Sequence, residues 1–201
     1  MSELHPVDHI ITNRTDSELQ KMLLFCMIDS NEPYARVCKT FDALTSDFPK
    51  NGIPLGLANG KLDYFLVRVL GKREVHKRIK RVGYHYHNQM TRYVWKWANG
   101  PYSDPRYLRT ATREQLVHDI TGISWKLASM FIRNSRGIVD IAVIDRYIRQ
   151  FLREKKYYGP TTGEKGYKLM EKKFIEIARD MNITPYKLDM KIWEERRVKH
   201  N

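Results

Sequence analysis

The sequence predicts an all-α fold, and three observations carry that expectation. Apolar residues recur at three- and four-residue spacing through most of the chain, no stretch alternates with the period of a half-buried strand, and helix-opening signatures precede several of the periodic runs. No internal repeat stands out. At 201 residues the chain is long enough for one large domain or two helical lobes sharing an interface, and no linker-like stretch divides it. Residues 1–201 therefore read as a single functional unit, with a helix, a tight hairpin and a second helix at its centre.

Thr15-x-x-Glu18 reads as a capping box opening a first helix, with Leu19, Met22, Leu23, Cys26 and Met27 along one buried face. That helix ends near Asp29-Ser30-Asn31-Glu32-Pro33. Pro33 starts a second helix, with Val37, Phe41, Leu44 and Phe48 on one side. Turn residues from Asn51-Gly52 to Asn59-Gly60 separate this pair from helices over 61–70 and 73–82. A basic and aromatic run follows: Lys77, Arg78, Lys80 and Arg81, then Gly83-Tyr84-His85-Tyr86-His87-Asn88-Gln89. Interleaved cations and stacking groups suit contact with phosphates and exposed bases. Alone, the lysine run also fits a solvated face, and Tyr93 and Trp97, which continue a helical stripe from Met90 and Val94, also fit a core.

Gly100-Pro101 and Asp104-Pro105 break the chain before Thr112-x-x-Gln115, a second capping box. The central segment, about 112–136, places Leu116, Val117 and Ile120 at helical spacing. Gly122 supplies a freely turning position, and Leu127, Ala128, Phe131 and Ile132 resume the apolar stripe. Backbone amides at the start of that second helix, backed by its dipole, would offer a phosphate site and face the amine of Lys126. The segment 137–150 carries Ile141-Ala142-Val143-Ile144-Asp145-Arg146-Tyr147-Ile148. Tyr147, Ile148, Phe151 and Leu152 then line a helix, Tyr158 to Gly163 forms a turn, and Leu169, Met170, Phe174, Ile177 and Ala178 mark another helix. Thr184-Pro185 opens the last one, 184–197.

Lysine and arginine number 36 against 23 acidic residues, a net charge of +13, which argues for a polyanionic partner, nucleic acid first. No apolar run approaches the roughly 18–20 residues needed to span a membrane, and Met1-Ser2-Glu3-Leu4-His5 lacks the apolar region of a signal peptide. A soluble, intracellular protein of cytoplasm or nucleoid is expected. Cys26 and Cys38, the only two cysteines, are too few for a four-thiolate iron–sulfur cluster and read as buried free thiols. The seven scattered histidines supply no zinc array, so neither metal nor organic cofactor is expected.

The run Lys126-x-Ala128-Ser129-x-Phe131-x-Arg133-Asn134, then Asp140-x-Ala142-x-x-Asp145-Arg146-x-Ile148, resembles the helix-hairpin-helix plus Gly-Pro-Asp superfamily of DNA glycosylases. Within it, the likeness is to the small archaeal-type 8-oxoguanine DNA glycosylase/AP lyases, and extends from about Leu23 to Trp193. The second hairpin position, commonly glycine, is Ser124 here. The resemblance implies two lobes around the motif with the active-site cleft between them, and places Lys126 on the nucleophile and Asp145 on the assisting aspartate. It also implies that Gly122 and Ser124 hold the DNA backbone, that Asn31 and Arg36 meet the orphaned cytosine, and that His87 and Asn88, beside Lys80 and Arg81, touch the duplex. Trp193 would stack on the damaged base, with Asp189 in the same pocket. Relatives also use the chain's end there, commonly a lysine where this chain has Asn201. A helix cap and a surface arginine remain the plain alternatives for Asn31 and Arg36, and core packing for Trp193.

Glycosidic-bond cleavage builds positive charge on the sugar. An amine that captures C1′ forms a Schiff base and permits β-elimination. Lys126 must be neutral to attack, and a helix N-terminus with partial burial should lower its pKa, while Asp145 at a helix start should stay ionised and stabilise the developing charge. Alone, such a lysine is ordinarily a surface residue and such an aspartate an N-cap. Their conjunction beside a hairpin glycine in a basic chain carries the expectation of a bifunctional enzyme. It would act as a monomer on double-stranded DNA containing a damaged base, 8-oxoguanine opposite cytosine foremost. The alternatives are a monofunctional glycosylase for another lesion and a non-catalytic helix-hairpin-helix DNA-binding protein, which would have no use for both residues.

Overall fold

The computed structural model describes residues 10–30, 32–45 and 62–198, with side chains for all of these except 62–70 and 197–198. Among the described residues there are ten α-helices, one short 3-10 turn and no strand, as the apolar periodicity predicts. The chain divides into two compact units between Ser135 and Arg136. Asn31, Phe48, the turn 51–60 and the terminal Asn201 lie outside the described residues.

The first unit is built around α1, Asp16–Ile28. Its capping box forms as expected: the Thr15 hydroxyl accepts from the Glu18 amide at 3.3 Å, and Glu18 accepts from the Thr15 amide at 2.7 Å. The expectation of a single buried face is corrected. Leu24, Phe25 and Ile28 are as buried as Leu19, Met22, Leu23, Cys26 and Met27, because α2 (Tyr34–Thr45), α3 (Leu62–Arg81), α4 (His87–Asn99) and α5 (Pro105–Thr110) all pack on α1. A helix apolar on every side has to be surrounded. Phe25 meets the Phe41 ring edge-on at 5.5 Å, and the Gln20 side-chain nitrogen donates to the Ser103 carbonyl at 2.9 Å.

The two helices expected before and after residue 71 are both present as the two parts of α3, which meet at Gly71, whose φ of 72° and ψ of 155° are not helical. Neither cysteine is in a disulfide; Cys26 is buried as expected, whereas the expectation for Cys38 is corrected, since it is partly exposed beside the Val37–Phe41–Leu44 face of α2. The second capping box also forms, with Thr112 opening α6, Arg113–Asp119. The segment from α6 through α7, Trp125–Arg136, is the expected helix, hairpin and helix.

The second unit comprises α8 (Arg146–Glu154), α9 (Gly163–Asp180) and α10 (Pro185–Val198), packed on one another. Tyr147, Ile148 and Leu152 from α8 join Tyr167, Met170, Phe174 and Ala178 from α9 and Leu188 and Ile192 from α10 in its core. Thr184 caps α10 as expected, its hydroxyl accepting from the Lys187 amide at 3.2 Å.

Candidate active site

Gly122 is the pivot of the hairpin. The backbone turns there with a φ of 96°, and a Cβ would lie 2.4 Å from Cδ2 of Tyr93, so the aromatic ring of α4 rests directly on the glycine. Both the dihedral and the contact require glycine. Lys96, one turn further along α4, donates to the Thr121 hydroxyl at 2.9 Å. Tyr93 is thus neither a core residue nor a free stacking group. It is half-buried against the hairpin, held by a 2.6 Å hydrogen bond from Gln89 and with the Arg92 guanidinium 5.5 Å from its ring centre.

Ser124 departs from glycine for a reason the geometry supplies. Its carbonyl accepts from the Ala128 amide at 2.9 Å and its hydroxyl from the Leu127 amide at 3.4 Å, so it opens α7 as an N-cap. Lys126 is then the second residue of α7, next to the positive end of that helix. Its amine is ion-paired with the Asp29 carboxylate and donates to the Asp29 carbonyl at 3.3 Å. Lys126 and Asp29 keep 28% and 18% of their side chains exposed, so the pair is mostly buried but still reached by solvent.

Asp29 is the C-cap of α1, and its role was missed in the sequence, where it marks only the end of a helix. Ninety-seven residues separate it from Lys126, beyond the reach of any local pattern. Glu32 was missed likewise. Its side chain is fully buried and accepts from the His85 amide at 2.6 Å and from Arg36 at 2.8 Å. Arg36 is therefore not a simple surface arginine: Glu32 and the His85 ring, 2.8 Å away, hold it in place.

Of the basic run, Lys80 and Arg81 are exposed at the end of α3, while Arg78 turns inward to Glu74 at 3.1 Å and to the Ala43 carbonyl at 3.0 Å. His87 sits partly buried with Nδ1 3.2 Å from the Tyr84 carbonyl. Asn88 is exposed and lines a cleft of about 530 Å³ with Lys72, Arg73, His76, Thr91 and Arg92. Lys126 is not among the lining residues of that cleft.

In the second unit Asp145 caps α8, its carboxylate accepting from the Ile148 amide at 2.8 Å. The approach to it is fixed by Tyr167, whose hydroxyl accepts from the Ile144 amide at 3.1 Å and donates to the Ala142 carbonyl at 3.2 Å. An ionised carboxylate at a helix N-terminus matches the dipole. On α10, Asp189 is buried and Trp193 is partly exposed beside the buried Leu188 and Ile192. Among the described residues no three His, Cys, Asp or Glu side chains gather into a group able to hold a metal ion. No helix among them is long and apolar enough to cross a membrane.

The family model for 8-oxoguanine DNA glycosylase matches residues 58–183, a span that contains the hairpin, Lys126 and Asp145. An 8-oxoguanine DNA glycosylase/AP lyase of Thermoplasma volcanium is 30% identical over 128 residues, which span 62% of this chain and 62% of that protein. One from Methanocaldococcus jannaschii is 29% identical over 187 residues, 89% of this chain and 86% of its own length. The crystal structure of the Methanocaldococcus jannaschii 8-oxoguanine glycosylase/lyase in complex with a 15mer DNA containing 8-oxoguanine matches with a TM-score of 0.71 at 23% identity. That match covers 92% of this chain and 83% of the other, a likeness of fold. By the extent of the family match, this chain belongs to the 8-oxoguanine DNA glycosylase family.

Proposed function

We propose that this chain is a bifunctional DNA glycosylase/AP lyase that excises 8-oxoguanine from duplex DNA. The observation that carries the reading is the amine of Lys126, set at the head of α7 directly behind the Gly122 hairpin, inside the span matched by the family model. Amine attack on C1′ expels the base and gives a Schiff base, from which loss of the 2′ proton eliminates the 3′ phosphate. Asp145, ionised at the start of α8, stabilises the positive charge that develops on the sugar. Support for the substrate comes from the relatives' names and from the 8-oxoguanine-containing DNA bound to the Methanocaldococcus jannaschii protein.

The rest of the site belongs to the same proposal. The amides of the Gly122–Ser124 hairpin hold a phosphate, Lys80, Arg81, His87 and Asn88 contact the duplex, and Asn31 and Arg36 meet the base left opposite the lesion. Trp193 stacks on the extruded base beside Asp189. The whole of residues 1–201 acts as one monomeric, intracellular enzyme that needs no cofactor, and the net charge of +13 supports a DNA partner. Borohydride trapping on duplexes carrying 8-oxoguanine opposite each of the four bases tests it. Wild type should form a covalent adduct, fastest opposite cytosine, and Lys126→Gln should form none while binding duplex nearly as well. An undiminished adduct in Lys126→Gln would remove Lys126 from the role of nucleophile. Base release without any adduct in wild type would make the enzyme monofunctional.

A further inference from the structure

A lysine that must attack as a free amine is found here as one half of an ion pair, so its proton needs a destination. We propose that Asp29 is the proton acceptor that turns Lys126 from ammonium into nucleophile. The inference rests on the reading of Lys126 as the attacking amine.

A general base has to lie within hydrogen-bond reach of the proton that it removes, and the Asp29 carboxylate is bonded to Lys126 Nζ. The Asp29 carbonyl, 3.3 Å from the same nitrogen, gives the amine a second acceptor that keeps it oriented once the proton has gone. Both groups also sit on helix ends. Asp29 is the C-cap of α1, whose terminal carbonyls oppose a negative charge, and α1 has no basic residue in its own last turn. Lys126 is the second residue of α7, where the amides oppose a positive charge. Each helix end thus disfavours the charge that it carries, and moving one proton from Lys126 to Asp29 removes both conflicts at once.

Without DNA, water reaches the exposed part of the ion pair. DNA laid over the exposed part of the pair excludes that water, and withdrawal of solvent penalises two charges more than a neutral acid and amine. Two other ionisable groups stand close by. Tyr84 donates to the Ile28 carbonyl at 2.9 Å, and burial, with the charges of Glu32 and Asp29, pushes its hydroxyl well above the ordinary tyrosine range, so it stays neutral and accepts no proton. Glu32 is engaged by Arg36 and His85.

The proton balance closes. Lys126 Nζ gives a proton to Asp29 Oδ2. The freed lone pair forms the bond to C1′, and the bond from C1′ to the base breaks with its electron pair leaving on the base. The base takes up the proton relayed from Asp29, which returns to carboxylate.

The test is single-turnover adduct formation from pH 6 to 9 on two duplexes, one with 8-oxoguanine and one with a pre-formed abasic site, for wild type, Asp29→Asn, Asp29→Glu and Lys126→Gln. Asp29→Asn should slow adduct formation on both by about 10²-fold at pH 7 and recover by about tenfold per pH unit, because the amine must then lose its proton to solvent. Wild type should vary much less over the same range. Asp29→Glu, which restores a carboxylate, should regain most of the rate. If Asp29→Asn matches or exceeds wild type with the same pH profile, the proposal fails while the role of Lys126 stands. Loss of duplex binding and of thermal stability in both Asp29 variants would make the pair a structural clamp and overturn it too. An adduct in Lys126→Gln would instead bring down the nucleophile assignment beneath it.

Discussion

Gly122→Ala measures how strictly the hairpin is specified. Two costs arise at one position. With a φ of 96°, an L-residue is forced into left-handed space, at about 1–2 kcal/mol. The new Cβ would also stand 2.4 Å from Cδ2 and 2.9 Å from Cγ of Tyr93, and the ring cannot swing aside as the tip of a long side chain would. Overpacking of that kind costs about 1–3 kcal/mol. The total is about 2–5 kcal/mol, or a fall in Tm of about 2–4 °C for each kcal/mol. A double-mutant cycle separates the two parts. In a Tyr93→Ala background the ring is absent, so Gly122→Ala should cost only the backbone strain, leaving a coupling of about 1–3 kcal/mol in urea unfolding. Strict additivity of the two substitutions would refute the contact and leave the dihedral as the sole reason for glycine.

Asp145→Asn keeps an N-cap oxygen for the Ile148 amide but removes the charge, so Tm should hardly change while single-turnover base release falls by about 10²–10³-fold; an equal fall in stability with little rate loss would reduce Asp145 to a helix cap. Glu18→Ala should cost about 0.3–1 kcal/mol near neutral pH. The Thr15 amide and hydroxyl hold the Glu18 carboxyl below its ordinary range, so its contribution is fully present above the unfolded value of about 4.3 and disappears as pH falls through the folded one. Melting curves of the two proteins should therefore converge below that pH, and a gap that stays constant down to pH 2 would show that the ionised carboxylate is not what stabilises α1.

What was legible in the sequence was local. Thr15 with Glu18, and Thr112 with Gln115, are three residues apart, and such short-range chemistry fixes helix starts whatever surrounds them. The need for a flexible residue at Gly122 was legible for the same reason. What escaped detection depends on distant parts of the chain. The full burial of α1 follows from four other helices closing around it, which its own periodicity does not announce. Arg78 belongs to a basic run that reads as solvated, yet it turns inward because Glu74 and the Ala43 carbonyl are there to receive it. Asp29 escaped detection most completely, since nothing near it in the chain says that a lysine 97 residues on will meet it.

The hairpin serves two demands at neighbouring positions, and their separation explains why Ser124 can stand where relatives commonly carry glycine. The reversal of the chain is completed at Gly122, whose φ is positive and whose missing side chain admits Tyr93. By Ser124 the backbone is already entering α7, and the requirement there is an acceptor for the first free amides, which a hydroxyl meets and a glycine leaves to water. Fixing the start of α7 in this way also fixes the direction of Lys126. Side chains on a helix lean toward its N-terminus, so the second residue projects beyond the helix end, here onto the C-terminus of α1 and Asp29. Moving the lysine by one residue would rotate it about 100° around α7 and part it from Asp29. The hairpin therefore sets not only where the chain turns but which carboxylate the amine faces.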